Sequence, residues 1–141
     1  MFNSAKLYPK HNFEFDMSKS SRSVGSYFEK VAQHWLRRSN FDVIFRNWHA
    51  GHIELDIIAE KEDLIVFIEV KYLSGRTNFF PESKINASKW KNILKAAHYF
   101  NSQYPNNKSI RYDVIAIVKN DWSMQLVHYK DAYTGLRWSY I

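Results

Sequence analysis

Two strongly apolar segments, Ile53–Ala59 and Leu64–Val70, are separated only by the polar run Glu60-Lys61-Glu62-Asp63. Extended chain on either side of so short a break folds back as an antiparallel hairpin. Near the turn both segments are apolar at consecutive positions, Ile57-Ile58-Ala59 on one side and Leu64-Ile65-Val66-Phe67-Ile68 on the other. A strand that reads this way buries both faces, so the hairpin needs cover above and below.

The rest of the chain supplies that cover. Ser23 is placed to cap a helix running to about Ser39, with Val24, Phe28, Val31, Ala32 and Trp35 on one stripe. A second helix begins between Ser83 and Ser88 and ends near Asn101, with Lys89, Ile93, Ala97 and Phe100 along its stripe. Further strands are expected at Phe41–Asn47, Ile110–Val118 and Gln125–Tyr129. The order helix, three strands, helix, two strands predicts an α/β fold with a mixed central sheet flanked by helices. In the first of these strands Phe41, Val43 and Phe45 are expected on one face. In the next, Ile53, Leu55, Ile57 and Ala59 are expected opposite Glu54, Asp56 and Ile58.

At 141 residues and 45% hydrophobic content the chain can bury one core. Residues 1–22 lack a clean period and are expected to be an arm, leaving 23–141 as a single domain. The absence of cysteine excludes a disulfide scaffold, a thiolate metal site and a cysteine nucleophile. No apolar run reaches the ~18–20 residues of a membrane span and no signal core opens the chain, so a cytoplasmic chain without a membrane partner is expected.

Within the hairpin, Asp56 and then Glu69-Val70-Lys71 interrupt apolar surroundings. Pairing Ala59 with Leu64 sets Asp56 opposite Phe67 and diagonal to Glu69, with Asp56, Glu69 and Lys71 on one face. Two carboxylates at close range suit Mg²⁺ or Mn²⁺, which lowers the pKa of a bound water and stabilises charge on a phosphate. A nearby lysine can orient that water or neutralise developing charge. The same spacing also fits a structural ion pair between Glu69 and Lys71, with Asp56 hydrogen-bonded to a loop. Carboxylates set in buried strands are costly unless paired or metal-bound, which favours the functional alternative.

The blocks "RNW…GHIELDIIA…LIVFIEVK…K…AAHYF…IRYDVIAIV", with Glu29 on the first helix, resemble the YraN-type endonuclease family. That family lies within the PD-(D/E)XK nuclease superfamily, related to archaeal Holliday-junction resolvases. The resemblance spans about Val24 to Tyr133 and implies a restriction-endonuclease-like core and a metal-dependent endodeoxyribonuclease. By position it makes Asp56 and Glu69 metal ligands, Lys71 the catalytic lysine, Glu29 an accessory acid, and Lys89 a base near the scissile phosphate. Leu55 stands where the superfamily name has proline, and Leu73 where a basic residue is frequent.

Charge is distributed accordingly. The chain carries +6 overall, yet Glu54–Glu69 holds six acids against Lys61, and Lys71–Lys95 holds six bases against Glu82. Arg76, Lys84, Lys91 and Lys95 can track a phosphate backbone or simply form a solvated face. Glu54 is either a further acid beside Asp56 or a solvated one. His34, His98 and His128 have no metal-ligand spacing. Phe79-Phe80 reads as core, base wedge or dimer contact. DNA, branched or structured, is the expected partner, and two-fold branched substrates would favour a homodimer. The alternative from another class is a catalytically inactive nucleic-acid-binding protein that keeps the nuclease fold.

Overall fold

The structure, a computed structural model, describes residues 4–9, 20–74, 87–119 and 123–132. Within these residues six strands and two helices follow in the order β1 (Ser4–Pro9), α1 (Ser21–Arg38), β2 (Asp42–Ala50), β3 (Ile53–Lys61), β4 (Leu64–Ser74), α2 (Ala87–Gln103), β5 (Ser109–Lys119) and β6 (Ser123–Tyr129). They form one sheet in the order β1-β6-β5-β4-β3-β2. Only β4 and β5 pair in parallel, the other neighbours being antiparallel. The chain is therefore α/β with a mixed sheet, and its helix, meander, helix, strand order is that of a restriction-endonuclease-like core.

Helix α1 begins earlier than its predicted cap. The Ser20 hydroxyl accepts from the Ser23 backbone N–H at 3.4 Å, so Ser20 is the cap and Ser23 lies inside the first turn. Arg37 and Arg38 fill the last turn, where positive charge complements the helix dipole. Phe28, Val31, Ala32 and Leu36 form the buried stripe, covering one face of the sheet against Ile57, Ala59, Val66 and Ile68. Helix α2 covers the other face, where Ile93, Ala96, Ala97 and Phe100 meet Ile58, Ile65 and Phe67. The doubly apolar hairpin is thus buried on both sides.

The hairpin register differs from the expected one. Lys61 pairs with Leu64 and Ala59 with Val66, leaving Glu62 and Asp63 alone in the turn. Glu62 there takes a left-handed φ of 53°. Glu60 and Lys61 remain in the strand because each has a partner. Lys108 Nζ lies 2.8 Å from Glu60 Oε1, and Lys61 Nζ donates to Ser39 O at 3.1 Å while sitting over the Phe41 ring. The shift is two residues, an even number, so the division of β4 between faces is unchanged. Leu64, Val66, Ile68 and Val70 belong to the α1 layer, and Ile65, Phe67 and Leu73 to the α2 layer.

Simple alternation fails in β2 and β3. A register shift between Val43 and Phe45 sends Val43 to the α1 layer and Phe45 to the α2 layer. Leu55 and Ile57, due to share a face, lie in opposite layers, with Leu55 joining Ile58 beneath α2. Phe45 and Trp48, three residues apart, lie in the same layer. Both strands turn over between these pairs, around Asn47 and Asp56. Asn47 carries a φ of 47°, a left-handed conformation that asparagine tolerates better than most residues.

A buried polar network pins β5 and β6 to α1. The Trp35 indole N–H donates to His128 Nδ1 at 3.2 Å, while His128 Nε2 lies 2.7 Å from Asp113 Oδ2. Because indole can only donate, His128 Nδ1 is the acceptor and Nε2 the donor to Asp113. Arg111 grips Asp113 with two bonds of 2.7 Å, and the Asp131 N–H donates to Oδ1 at 2.9 Å. Burial alone would raise the Asp113 pKa, but the bonds from His128 and Arg111 outweigh it and hold the carboxyl below its ordinary value.

The segment expected to be an arm carries β1, which pairs along β6 from Ser4–His128 to Pro9–Ser123. The aromatic tail from Tyr133 and the Phe79-Phe80 pair lie outside the described residues. Among the described residues no helix is long and apolar enough to cross a membrane.

Candidate functional site

The sheet forks at Asp56. Pairing between β3 and β4 ends at Ile57–Ile68, while β3 continues beside β2 to Ile53 and β4 continues beside β5 to Ser74. A cleft of about 240 Å³ opens between the parted strands, lined by Glu54, Asp56, Glu69, Tyr112 and, from α2, Asn92 and Ile93. Gly51, with a φ of 61°, makes the turn that brings β2 into β3 beside exposed His52, which also lines this cleft.

Asp56 bridges the parting strands. Its Oδ2 accepts from the Val70 backbone N–H at 2.8 Å, replacing the ladder bond that the fork removes. Burial pushes its pKa up to about 6; the Val70 bond opposes this, and the charges of Glu29, Glu69 and Glu54 add to it. Glu69 faces the α2 layer, where Lys71 Nζ lies 2.6 Å from Oε1 and the Tyr112 hydroxyl donates to Oε2 at 2.7 Å. Both contacts of the structural alternative are therefore partly present. Lys71 does pair with Glu69, and Asp56 does bond to backbone, though to strand β4 rather than a loop.

Glu54 lies on the α1 side, since its neighbours Ile53 and Leu55 face α2. It approaches Glu29 of α1 through Asn47, whose amide nitrogen donates to Glu29 Oε2 at 3.3 Å and Glu54 Oε1 at 3.2 Å. This amide orientation is the one that hydrogen bonding requires. Burial raises the Glu29 pKa, Asn47 lowers it, Glu54 raises it and Arg46 lowers it, with a net upward shift. Arg46 is itself held by Gln33, whose amide oxygen accepts from Nε at 3.0 Å.

Glu54, Asp56 and Glu69 thus line the cleft at the fork, with Lys71 connected to it through Glu69 and Glu29 through Asn47. Exposed Lys91 precedes Asn92 at the cleft wall. Arg76 and Lys84 lie outside the described residues, as does the side chain of Lys89. His128 is structural, and His34 and His98 are exposed. Asn47 and Tyr112 escape sequence reasoning. One needs its left-handed backbone and the other occupies an ordinary position in a buried strand.

A match to the family model described as uncharacterised protein family UPF0102 covers residues 28–117, from the start of the α1 stripe through most of β5. The chain belongs to the UPF0102 family. It is 33% identical over 114 residues to a UPF0102 protein of Parabacteroides distasonis, covering 78% of this chain and 91% of that protein. It is 34% identical over 123 residues to a UPF0102 protein of Clostridium botulinum strain Alaska E43, covering 83% and 98%. This is the YraN-type family whose motifs the sequence resembles. The UPF0102 match contains Glu29, Asp56, Glu69, Lys71 and Tyr112, and so the whole cleft constellation.

The donor set of this UPF0102 cleft suits a hard divalent cation. Asp56 and Glu69 offer carboxylate oxygens from two strands, and Glu29 and Glu54 add negative potential. Among the described residues no three His, Asp or Glu side chains are already gathered as a cation cage. Mg²⁺ commonly takes only one or two carboxylates and keeps several waters, so two protein ligands suffice for it.

Proposed function

We propose that this UPF0102 protein is a divalent-cation-dependent endonuclease that hydrolyses phosphodiester bonds in DNA. The observation that carries the reading is that Asp56 and Glu69 approach one cleft from strands that part, with Lys71 beside Glu69. An arrangement serving stability alone would not crowd Asp56 with Glu29, Glu54 and Glu69, because each neighbour raises the cost of its ionised form.

Asp56 and Glu69 would hold Mg²⁺ or Mn²⁺, which would supply positive charge against a phosphate and acidify an attacking water. The Val70 N–H fixes Asp56, so its carboxylate needs little reorganisation. Lys71, paired with Glu69 and with its side chain 39% exposed, would offer an ammonium to a phosphate oxygen or to the water. Glu29 acts through Asn47 and the potential at Asp56. Lys91 and Lys95, exposed on α2, provide salt-sensitive backbone contact, and Lys89, Lys84 and Arg76 belong to the same basic stretch. DNA structure, including branching, is the proposed determinant, and a homodimer would match a two-fold branch.

The test compares wild type, Asp56→Asn and Lys71→Ala on branched and linear DNA with Mg²⁺, Mn²⁺ or EDTA. Cleavage that needs the cation and is lost in both variants supports the proposal. Equal residual cleavage by all three proteins overturns it. Salt-dependent binding without cation-dependent cleavage would instead favour a nucleic-acid-binding protein that lacks turnover.

A further inference from the structure

Glu69 is held at both oxygens by groups of unlike mobility. On Oε1 the partner is Lys71 Nζ at 2.6 Å, a charged group on a flexible stem whose side chain is 39% exposed. On Oε2 the partner is the Tyr112 hydroxyl at 2.7 Å, from a residue only 3% exposed. Tyr112 cannot swing away. Its ring lies in the α2 layer, its carbonyl accepts from the Ala132 N–H at 2.9 Å, and it pairs with Phe67 in the parallel β4–β5 ladder. The next residue, Asp113, is anchored by Arg111 and His128.

A divalent cation and an ammonium group compete for the same carboxylate oxygen. The one that gives way is the long, solvated side chain, which recovers hydration and rotamer freedom on release. A neutral phenol bound to the other oxygen has no such conflict with the cation. It also keeps the carboxylate from rotating once Lys71 has left.

We propose that Tyr112 is the positioning residue of this cleft, its phenol holding Glu69 Oε2 so that the carboxylate keeps its aim when Lys71 yields Oε1 to a divalent cation. The inference rests on Asp56 and Glu69 being cation ligands. It adds a division of labour in which Lys71 is the displaceable partner and becomes available to the phosphate, while Tyr112 is the permanent one.

The test is Mn²⁺ binding to the metal-free protein, followed by calorimetry and by the loss of the free Mn²⁺ resonance, with no DNA present. Tyr112→Phe should bind Mn²⁺ about tenfold more weakly, the worth of one hydrogen bond to a charged group. Its unfolding should stay cooperative, with a drop in stability no larger than the loss of one hydrogen bond. Lys71→Met should bind at least as tightly as wild type, because the competing cation is gone. Wild-type affinity in Tyr112→Phe overturns the proposal while leaving the cation reading intact. Weaker binding by Lys71→Met also overturns it, and this comparison decides the matter should Tyr112→Phe prove unstable. Failure of the wild type itself to bind Mn²⁺ overturns the cation reading, and the proposal with it.

Discussion

The Asp56 carboxylate accepts a hydrogen bond of 2.8 Å from the Val70 backbone N–H just beyond the last ladder pair, Ile57–Ile68. Side chain replaces main chain at the point where the two strands separate. The same carboxylate is pushed up to about 6 by burial and by Glu29, Glu69 and Glu54.

A carboxyl whose folded pKa exceeds its unfolded value, about 3.9, costs stability increasingly as pH rises between the two values. Without a divalent cation, Asp56→Asn should therefore be more stable than wild type at pH 7.5, by roughly 1–3 kcal/mol. An asparagine oxygen can still accept from Val70. The gain should vanish near pH 3, where Asp56 is protonated in both states. Thermal melts at the two pH values check this, and a variant less stable at pH 7.5 would contradict it.

Cation binding must displace the proton that Asp56 retains. Mn²⁺ affinity should be nearly flat above pH 7 and fall about tenfold per pH unit once the pH drops well below 6. Calorimetric titrations between pH 5 and 7.5 measure this slope, and a flat profile would remove Asp56 from the ligand set.

Asp113 has the opposite sign. Its folded pKa is depressed, so its contribution is fully present above about pH 4 and disappears as pH falls through the lower folded value. Asp113→Asn should cost about 3 kcal/mol in urea unfolding at pH 7, since it leaves Arg111 without its charge partner. The loss should shrink toward pH 3.

Asn47 combines a left-handed backbone with an amide between two carboxylates. Asn47→Ala and Asn47→Gly both remove the amide, but only alanine also strains at this φ. Alanine should be the less stable variant by about 1 kcal/mol in urea unfolding. In both variants the Glu29 carboxyl should titrate at higher pH than in wild type, as followed by carbon NMR of its side chain.

The layered architecture is legible in the chain because apolar pairs such as Ile57-Ile58 and Phe67-Ile68 have to be covered on both sides. The α1 and α2 stripes provide that cover at helical spacing. The face of Glu69 and Lys71 also survives a register two residues away from the expected one, since an even slip preserves parity. An unrelieved alternation cannot foresee the turnover at Asn47 and Asp56, which depends on one left-handed residue and the loss of one ladder pair. Strand β1 is hidden for a different reason. Among the described residues Ser4–Pro9 lies at the sheet edge and pairs on one side only, so its sequence need not carry a buried-strand pattern. The Ser20 cap lies just three residues from Ser23, a substitution of one serine for another that composition cannot separate.

The parallel pairing of β4 with β5 bears on how the cleft comes into being during folding. Asp56 and Val70 are fourteen residues apart and meet through a tight hairpin, a contact whose closure is entropically cheap. Glu69 and Tyr112 are forty-three residues apart and meet only after the α2 crossover has docked. The Asp56–Val70 contact can thus form early, while the Tyr112 hydroxyl reaches Glu69 only with the longer-range pairing of β4 and β5. A chain caught between these events would hold Glu69 without its Tyr112 partner, so the shape of the cleft depends on a crossover that closes after the hairpin.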